Sequence, residues 1–498
     1  MPALICASRP PCAVQAGRGH WQIDTTLTYA RLYDGTVAAD YYRAMAQVEN
    51  RLHLPQNGPV SSPTAGELLA LSAQADPHEI AQRRARLRDV QRFVGLDIHR
   101  EYLVALAVDR DLGVVYGPRR VEWPQFPAWA ARTLDKRDAV VVEMTTNTWA
   151  VYDELVERVH SVTVVHPPHV KLITQSPVMN DKKAAEALAT LHAAGLLRTV
   201  WVPDQTVRDR RQLVAQRHDR VRAATVAKNR LHSILHRHGL DRPESSLPFS
   251  PRRHDFWLSL PVSPVEELAI ELDLETIDQA DAQIARIEAV MAREALADDR
   301  LPFLVQLPGI STLGALAILA AIGPIERFPS PEHLVGYAGL GGRVHASGQR
   351  TVQGGITKTG RQDLRSAMVV AARHARNVNT HWKEVYRQLE PRLGRNKAIV
   401  AMARKMLVVV WHLLTKETVD RRLDVERLAR KYLEFAYTMS KEARGMTAKQ
   451  YVRAKLDLVG VGRELESFRQ GRRQIALPPS AQPTPMSGVP RSLTANSR

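Results

Sequence analysis

Three short β-rich segments follow one another at hairpin distance: RFVGLDIH from Arg92, YLVALAVD from Tyr102 and GVVYGPRR from Gly113. An apolar helix candidate and the strand DAVVVEM from Asp138 come next, then a helix near Trp149 to His160, a strand SVTVVH from Ser161, and a helix starting near Asp181. Three adjacent strands that give way to alternating helix and strand specify a mixed sheet with helices packed on it. Residues 91–203 are therefore expected to form one α/β domain.

The rest of the chain divides by pattern. Residues 1–90 read as an N-terminal appendage, with a Pro, Ser, Ala and Gly-rich linker from Pro55 to Pro77. Within it, His20 and Tyr29 have the spacing of the Gly-His pair and nucleophilic tyrosine at the C-terminal end of tyrosine recombinases, and residues 19–52 resemble that end. The upstream basic residues such an enzyme uses have no room in the preceding 18 residues, so a fusion or an over-extended reading frame is expected there.

Residues 204–300 are helical in pattern. Asp204 is placed to cap a helix and Gly239 to end it, and Val214, Val221 and Leu235 recur at heptad spacing with Ala224 and Leu231 between them. Ile270, Ile277, Ile284 and Met291, with Ala280 and Ile287, make a second seam, so a long coiled-coil connector is expected. Its two helices could pair within one chain or between chains. Residues 301–418 read as a mostly α-helical C-terminal domain, and residues 419–498 as charged helices followed by a Pro and Ser-rich tail too poor in apolar residues to fold alone.

Charge narrows the partners. A net charge of +17 and a pI near 10.0 favour a polyanion, because each phosphate neutralised releases condensed counterions. No apolar run approaches the roughly 20 residues that span a bilayer, so no membrane partner is expected. The only cysteines, Cys6 and Cys12, support neither a disulfide framework nor a cysteine zinc site. The start lacks a signal-peptide pattern, which fits a cytoplasmic location.

The chemistry concentrates in three acids: Asp97 in VGLDIH, Glu143 in VVVEM and Asp181 in MNDKKAAEAL. A carboxylate between apolar strand neighbours is costly to bury unless a cation or donor meets it. Two such acids on adjacent strands and a third at a later helix start can converge on one sheet edge and hold Mg²⁺. Hard oxygen ligands suit that ion, and two such ions about 4 Å apart can stabilise both the attacking and the leaving oxygen in phosphodiester chemistry. Further on, LPGISTLGALAILAAIG from Leu307 has a Pro-Gly turn leading into a small-residue helix, as in helix-hairpin-helix elements that offer N–H groups to phosphates. The following Gly-rich stretch carries Arg343, His345, Arg350, Lys358, Arg361 and Arg365, candidates for nucleic-acid contact, with Ser347 in its middle.

The order VGLDIH, VVVEM, NDKKAAEALA, a basic helical connector, then LPGI, GYAGL, ASGQ and GGITKTGRQDLR resembles the insertion sequence 110 family of transposases over about residues 92–416. The resemblance implies an RNase H-like, RuvC-like first domain whose DEDD acids bind Mg²⁺, with Asp97, Glu143 and Asp181 matching the first three. It also implies that Ser347, in the Ser-Gly motif, is the nucleophile that becomes joined to DNA. The protein would work as a homodimer or homotetramer with a structured bridge RNA that pairs with donor and target DNA, and would be nucleoid-associated when bound.

One departure stands out. The family reads Asp-x-x-Asp-Ala in the third motif, whereas Ala184 occupies the fourth acid's place. Three residues turn a helix by about 300° and five by about 500°, so Glu186 sits about 140° from Asp181 and is a poor substitute. Two other readings therefore stay open: a RuvC-like structure-specific DNA nuclease, which needs the acids but not Ser347, and a catalytically impaired nucleic-acid-binding relic.

Overall fold

The structure is a computed structural model describing residues 77–167, 180–245, 247–347 and 350–481. The appendage before Pro77, with His20 and Tyr29, lies outside the described residues, as does the tail beyond residue 481. The chain divides into two compact units at Val202/Pro203.

After a helix α1 (Pro77–Arg86), the first unit forms a five-stranded sheet from β1 (Arg92–Ile98), β2 (Tyr102–Val108), β3 (Val114–Glu122), β4 (Asp138–Glu143) and β5 (Ser161–Val165). Their order is β3-β2-β1-β4-β5, with β1–β2 and β2–β3 antiparallel and β1–β4 and β4–β5 parallel. This is the mixed sheet with packed helices that the segment order predicts. Helices α2 (Phe126–Thr133) and α3 (Thr148–Leu155) contribute Phe126, Trp129, Val151 and Leu155 to one buried face, against Val94, Leu96, Val140 and Val142. Helix α4 (Asp181–Ala193) covers the other, where Ala185 and Ala189 pack with Phe93, Val104, Leu106 and Ala139.

Two constraints set the register on which the site depends. At the N-terminal ends of β1 and β4, Arg92 donates from Nε and Nη2 to the two carboxylate oxygens of the fully buried Asp138, both at 2.7 Å. The pairing then runs from Arg92↔Asp138 to Leu96↔Val142, which brings Asp97 and Glu143 to the same strand ends. Because side chains alternate along a strand, Asp97 shares the face of Phe93 and Gly95, and Glu143 that of Ala139 and Val141. This is the face under α4. There Gly95 permits a very close approach, since a Cβ on it would lie 2.0 Å from the Ala185 carbonyl oxygen and 2.9 Å from the Ala189 nitrogen.

The second unit is mainly helical. Helices α5 (Gln205–His238) and α6 (Pro264–Leu296) pair antiparallel within the chain: Arg210 binds Glu294, Arg217 binds Glu288, Arg230 binds Asp273 and Arg237 binds Glu266, so one residue number falls as the other rises. Asp204 accepts from the Val207 N–H at 2.8 Å and Gly239 closes α5 in the left-handed region, φ 61°, as expected. The expected seam holds only in part. Val214, Leu231, Leu235, Ile270, Ile277 and Met291 are buried, whereas Val221 is 38% exposed and Ala227 and Ile234 take up the contact. The polar connection folds back as the hairpin tip, where Trp257 is fully buried and stacks on Phe249 at 5.2 Å.

Beyond the hairpin come α7 (Leu301–Val305), α8 (Thr312–Ile322), α9 (Pro331–Tyr337), the ribbon β6 (Gly342–Ser347) and β7 (Arg350–Ile356), then α10 (Gln362–Val378), α11 (Thr380–Leu393) and α12 (Arg395–Lys416). By length and composition α12 could cross a membrane, an exception to the sequence expectation, but its Ile399, Met402, Met406, Leu407 and Val410 are buried in this unit's core. The segment past residue 418 is also more than charged surface. Helices α13 (Val425–Tyr437) and α14 (Ala448–Val459) bury Leu428, Tyr432, Phe435, Tyr451 and Leu456 in the same core. From α13, Lys431 Nζ donates to the carbonyl oxygens of Val305, Leu307 and Ile310 at 2.7, 2.6 and 2.9 Å, so it braces the Pro-Gly turn, and burial pushes its ammonium down to about 7.

Gly95→Ala is expected to force α4 away from β1 and destabilise the first unit by about 3 kcal/mol. Gly341→Ala, whose Cβ would meet nothing within 4 Å, should leave stability unchanged. Urea unfolding of the two variants side by side checks the pair.

Candidate active site

Asp97, near the end of β1, is brought to the N-terminus of α4 by the Gly95 contact. Asn180 caps that helix by accepting from the Lys183 N–H at 2.9 Å, and Asp181 is its first residue. Between the two carboxylates stands a group the sequence reading missed. His99 Nε2 lies 3.2 Å from Asp97 Oδ2 and 3.4 Å from Asp181 Oδ2. One ligand atom from each of the three residues lies within 4.8 Å of the others. Burial pushes the Asp97 carboxyl above its ordinary value; His99 pulls it back, and the nearby Asp181 charge adds to the rise.

The surroundings hold these groups in place. The His99 N–H donates to the Tyr102 carbonyl at 2.8 Å in the β1–β2 turn, and Trp123 Nε1 donates to the carbonyl oxygens of His99 and Arg100 at 3.2 and 2.9 Å. The Tyr102 hydroxyl donates to Asp181 Oδ2 at 2.9 Å, its ring lies 4.7 Å from the His99 ring, and the Arg120 guanidinium sits 3.7 Å from its centroid. The hydrogen bond to Asp181 raises the Tyr102 phenol above its ordinary value. A signal for His99 was present in the D-x-H spacing. Two residues along a strand share a face, but that hint is weak until a helix is known to deliver Asp181 there.

Glu143 occupies the expected place at the end of β4. The Thr148 hydroxyl donates to its carbonyl oxygen at 2.8 Å, fixing the turn beyond it. The residue is half-buried, and its carboxylate is not one of the three groups that lie together. Ala184 sits one turn along α4, half-buried, with Glu186 beyond it also half-buried. Two carboxylates and an imidazole form a donor set that fits a divalent ion, Asp97 and Asp181 supplying oxygens and His99 a ring nitrogen.

In the second unit, Ser347 ends β6, in register with Arg350 of β7. The root of this ribbon is clamped. The Arg361 N–H donates to the Tyr337 carbonyl at 2.7 Å, Lys358 to Gly339 at 3.1 Å and Thr357 to Gly341 at 2.8 Å. Gly360, at φ 120°, comes so close that a Cβ would lie 2.2 Å from the Tyr337 oxygen. Arg361 and Arg365 belong to this clamp. Arg361 is 5% exposed and ion-paired with Asp363, whose carboxyl it holds below the ordinary range despite burial, while Arg365 donates to the Ala338 carbonyl at 2.9 Å. Arg343 and Lys358 are exposed, with Arg343 donating to the Thr357 carbonyl at 3.2 Å. His345 and Arg350 are placed by backbone only, in β6 and β7.

Comparison with known families agrees with both halves. A transposase family model for the DEDD domain of IS110 elements matches residues 94–239, and a second, described as the transposase IS116/IS110/IS902 family, matches residues 302–387. The chain belongs to the IS110 family of transposases. Among its relatives is the transposase for insertion sequence element IS1111A of Coxiella burnetii, 26% identical over 348 residues, or 68% of this chain and 94% of that protein. The transposase for insertion sequence element IS1328 of Yersinia enterocolitica is 24% identical over 52% of this chain and 78% of its own length. A pilin gene-inverting protein of Moraxella bovis is 30% identical over 25% of this chain and 40% of its own. As an IS110-type transposase the protein is a DNA-processing enzyme, and the first match encloses Asp97, His99, Glu143 and Asp181.

Tyr102→Phe removes the donor that orients Asp181 and keeps the ring beside His99. Divalent-ion affinity is expected to fall about tenfold with the unfolding midpoint unchanged. Titration calorimetry beside a urea melt checks both parts, and unaltered affinity would remove Tyr102 from the site.

Proposed function

We propose that this IS110-type transposase moves an insertion sequence by cutting and rejoining DNA strands, with Asp97, Asp181 and Glu143 serving the scissile phosphate and Ser347 as nucleophile. The observation that carries the reading is the meeting of Asp97 and Asp181 at one end of the sheet, beside the end of β4 that bears Glu143. A divalent ion, expected to be Mg²⁺, supplies charge neutralisation for the phosphate there. Ser347 Oγ forms a bond to phosphorus as a P–O bond of the strand breaks, and the departing deoxyribose hydroxyl carries away a proton. A later attack by a deoxyribose hydroxyl on the Ser347 phosphodiester re-forms the strand and releases the serine, so no net hydrolysis occurs.

Several features support this reading. The charge of +17 suits a nucleic-acid partner, and the clamped root of the ribbon suits a nucleophile that must be held. A relative named for inverting a pilin gene fits recombination rather than simple nuclease action. The remaining parts of the proposal are donor and target DNA as partners, a structured bridge RNA that pairs with both, and assembly as a homodimer or homotetramer. Exposed Arg343 and Lys358, with His345 and Arg350, are the proposed contacts to the nucleic-acid backbone. Arg361 and Arg365 are reassigned to supporting the ribbon, because their guanidinium groups already serve Asp363 and the Ala338 carbonyl.

The test incubates purified protein, Mg²⁺, RNA transcribed from the element's flanks and paired DNA sites. Rejoined product and a protein–DNA adduct are expected. Ser347→Ala should lose the adduct and keep DNA binding, Asp97→Asn should lower strand exchange at least 100-fold, and Ala184→Asp should raise exchange in Mg²⁺. Free ends without an adduct would instead make the protein a nuclease.

A further inference from the structure

An imidazole between two carboxylates is not the donor set that Mg²⁺ favours. Mg²⁺ takes oxygen ligands and keeps much of its water, whereas imidazole nitrogen suits first-row transition ions. His99 Nε2 stands 3.2 Å from Asp97 Oδ2 and 3.4 Å from Asp181 Oδ2. Neighbouring donors on a coordination sphere with bonds of about 2.1–2.3 Å are separated by about this much. The ring is held for the task. Its backbone is fixed by the Tyr102 carbonyl and the Trp123 indole, and its face lies on Tyr102, whose far end orients Asp181. Its side chain is 33% exposed and that of Asp181 43%, so the cluster is open to an incoming ion and a phosphate.

We propose that His99 is a third protein ligand of the divalent-ion site, at a centre where position 184 offers only a methyl group, and that it shifts the preference of the site from Mg²⁺ toward imidazole-accepting ions of the Mn²⁺ type. The inference rests on reading Asp97 and Asp181 as ion ligands. It goes beyond that reading in naming the nitrogen donor and the class of ion. Nε2 binds through its lone pair in the neutral ring, while Asp97 and Asp181 supply the negative charge. A site lacking one carboxylate carries less charge to attract a hard ion, and a directional nitrogen donor offsets part of that loss for a softer one.

The test needs no DNA. Mn²⁺ is titrated into the full-length protein and free ion is followed by electron paramagnetic resonance, with Mg²⁺ as competitor. His99→Ala is expected to weaken Mn²⁺ binding at least tenfold and change Mg²⁺ binding less than twofold. His99→Asp, which restores an oxygen ligand, should reverse the preference toward Mg²⁺, and it answers the question even if His99→Ala fails to fold. Equal loss of both ions in His99→Ala would make the ring a support and overturn the proposal, as would an unchanged ratio of affinities in both variants. If the wild-type protein binds neither ion, the reading of the acids falls as well. Absence of strand exchange in the wild-type protein, with its ion binding intact and His99-dependent, would leave His99 in place and count against the proposed reaction alone.

Discussion

The approach of α4 to β1 at Gly95 is the contact on which the catalytic end of the first unit depends. A strand and a helix can come this close only where the strand offers no side chain and the helix offers small ones, and Gly95 faces Ala185 and Ala189. The consequence is chemical. Asp181 begins the same helix, so the distance that packs Gly95 against Ala185 also sets the distance from Asp181 to Asp97 and His99. At the other end of β1, the buried Arg92–Asp138 pair holds the register with β4, without which Asp97 and Glu143 would not end side by side.

The second unit repeats the use of tight backbone contacts to hold a reactive group. Two turns interlock at the base of the β6–β7 ribbon, and Gly360 is present because its backbone meets the Tyr337 carbonyl at φ 120°. Arg361 and Arg365, cations that look free for phosphate in the sequence, are drawn into this joint by Asp363 and Ala338. Lys431 does the same for the Pro-Gly turn before α8, arriving from a segment that neither family match covers. A buried ammonium surrounded by three carbonyl oxygens ties that segment to the domain, because removing it would take a donor from each of those oxygens.

Much of this architecture is legible in the sequence because it rests on local pattern. Short, near-continuous apolar runs mark β1, β2, β4 and β5, Asp204 stands where a helix begins, and Gly239 stands where one ends. The α5–α6 seam was legible only in part, since Val221 obeys the heptad spacing yet faces out while Ala227 and Ile234 lie inside. Ideal periodicity predicts which residues share a stripe. It does not give the angle at which two long helices meet, and that angle decides which edge of the stripe is covered.

By itself the sequence determined the element order, the basic charge, the three acids and the serine, together with the missing carboxylate at Ala184. Each of these is a property of residue identity or of spacing along a few turns or strands. Only the tertiary structure decided that His99 joins Asp97 and Asp181 while the Glu143 carboxylate stays outside that cluster, that Arg361 pairs with Asp363 and Arg365 with the Ala338 carbonyl, and that residues past 418 complete the core. The physical reason is common to all three. A side chain's role follows from which neighbours compete for its charge and its hydrogen bonds, and the deciding ones, Asp181 for His99 and the Ala338 carbonyl for Arg365, lie tens of residues away, at distances set by packing rather than by spacing along the chain.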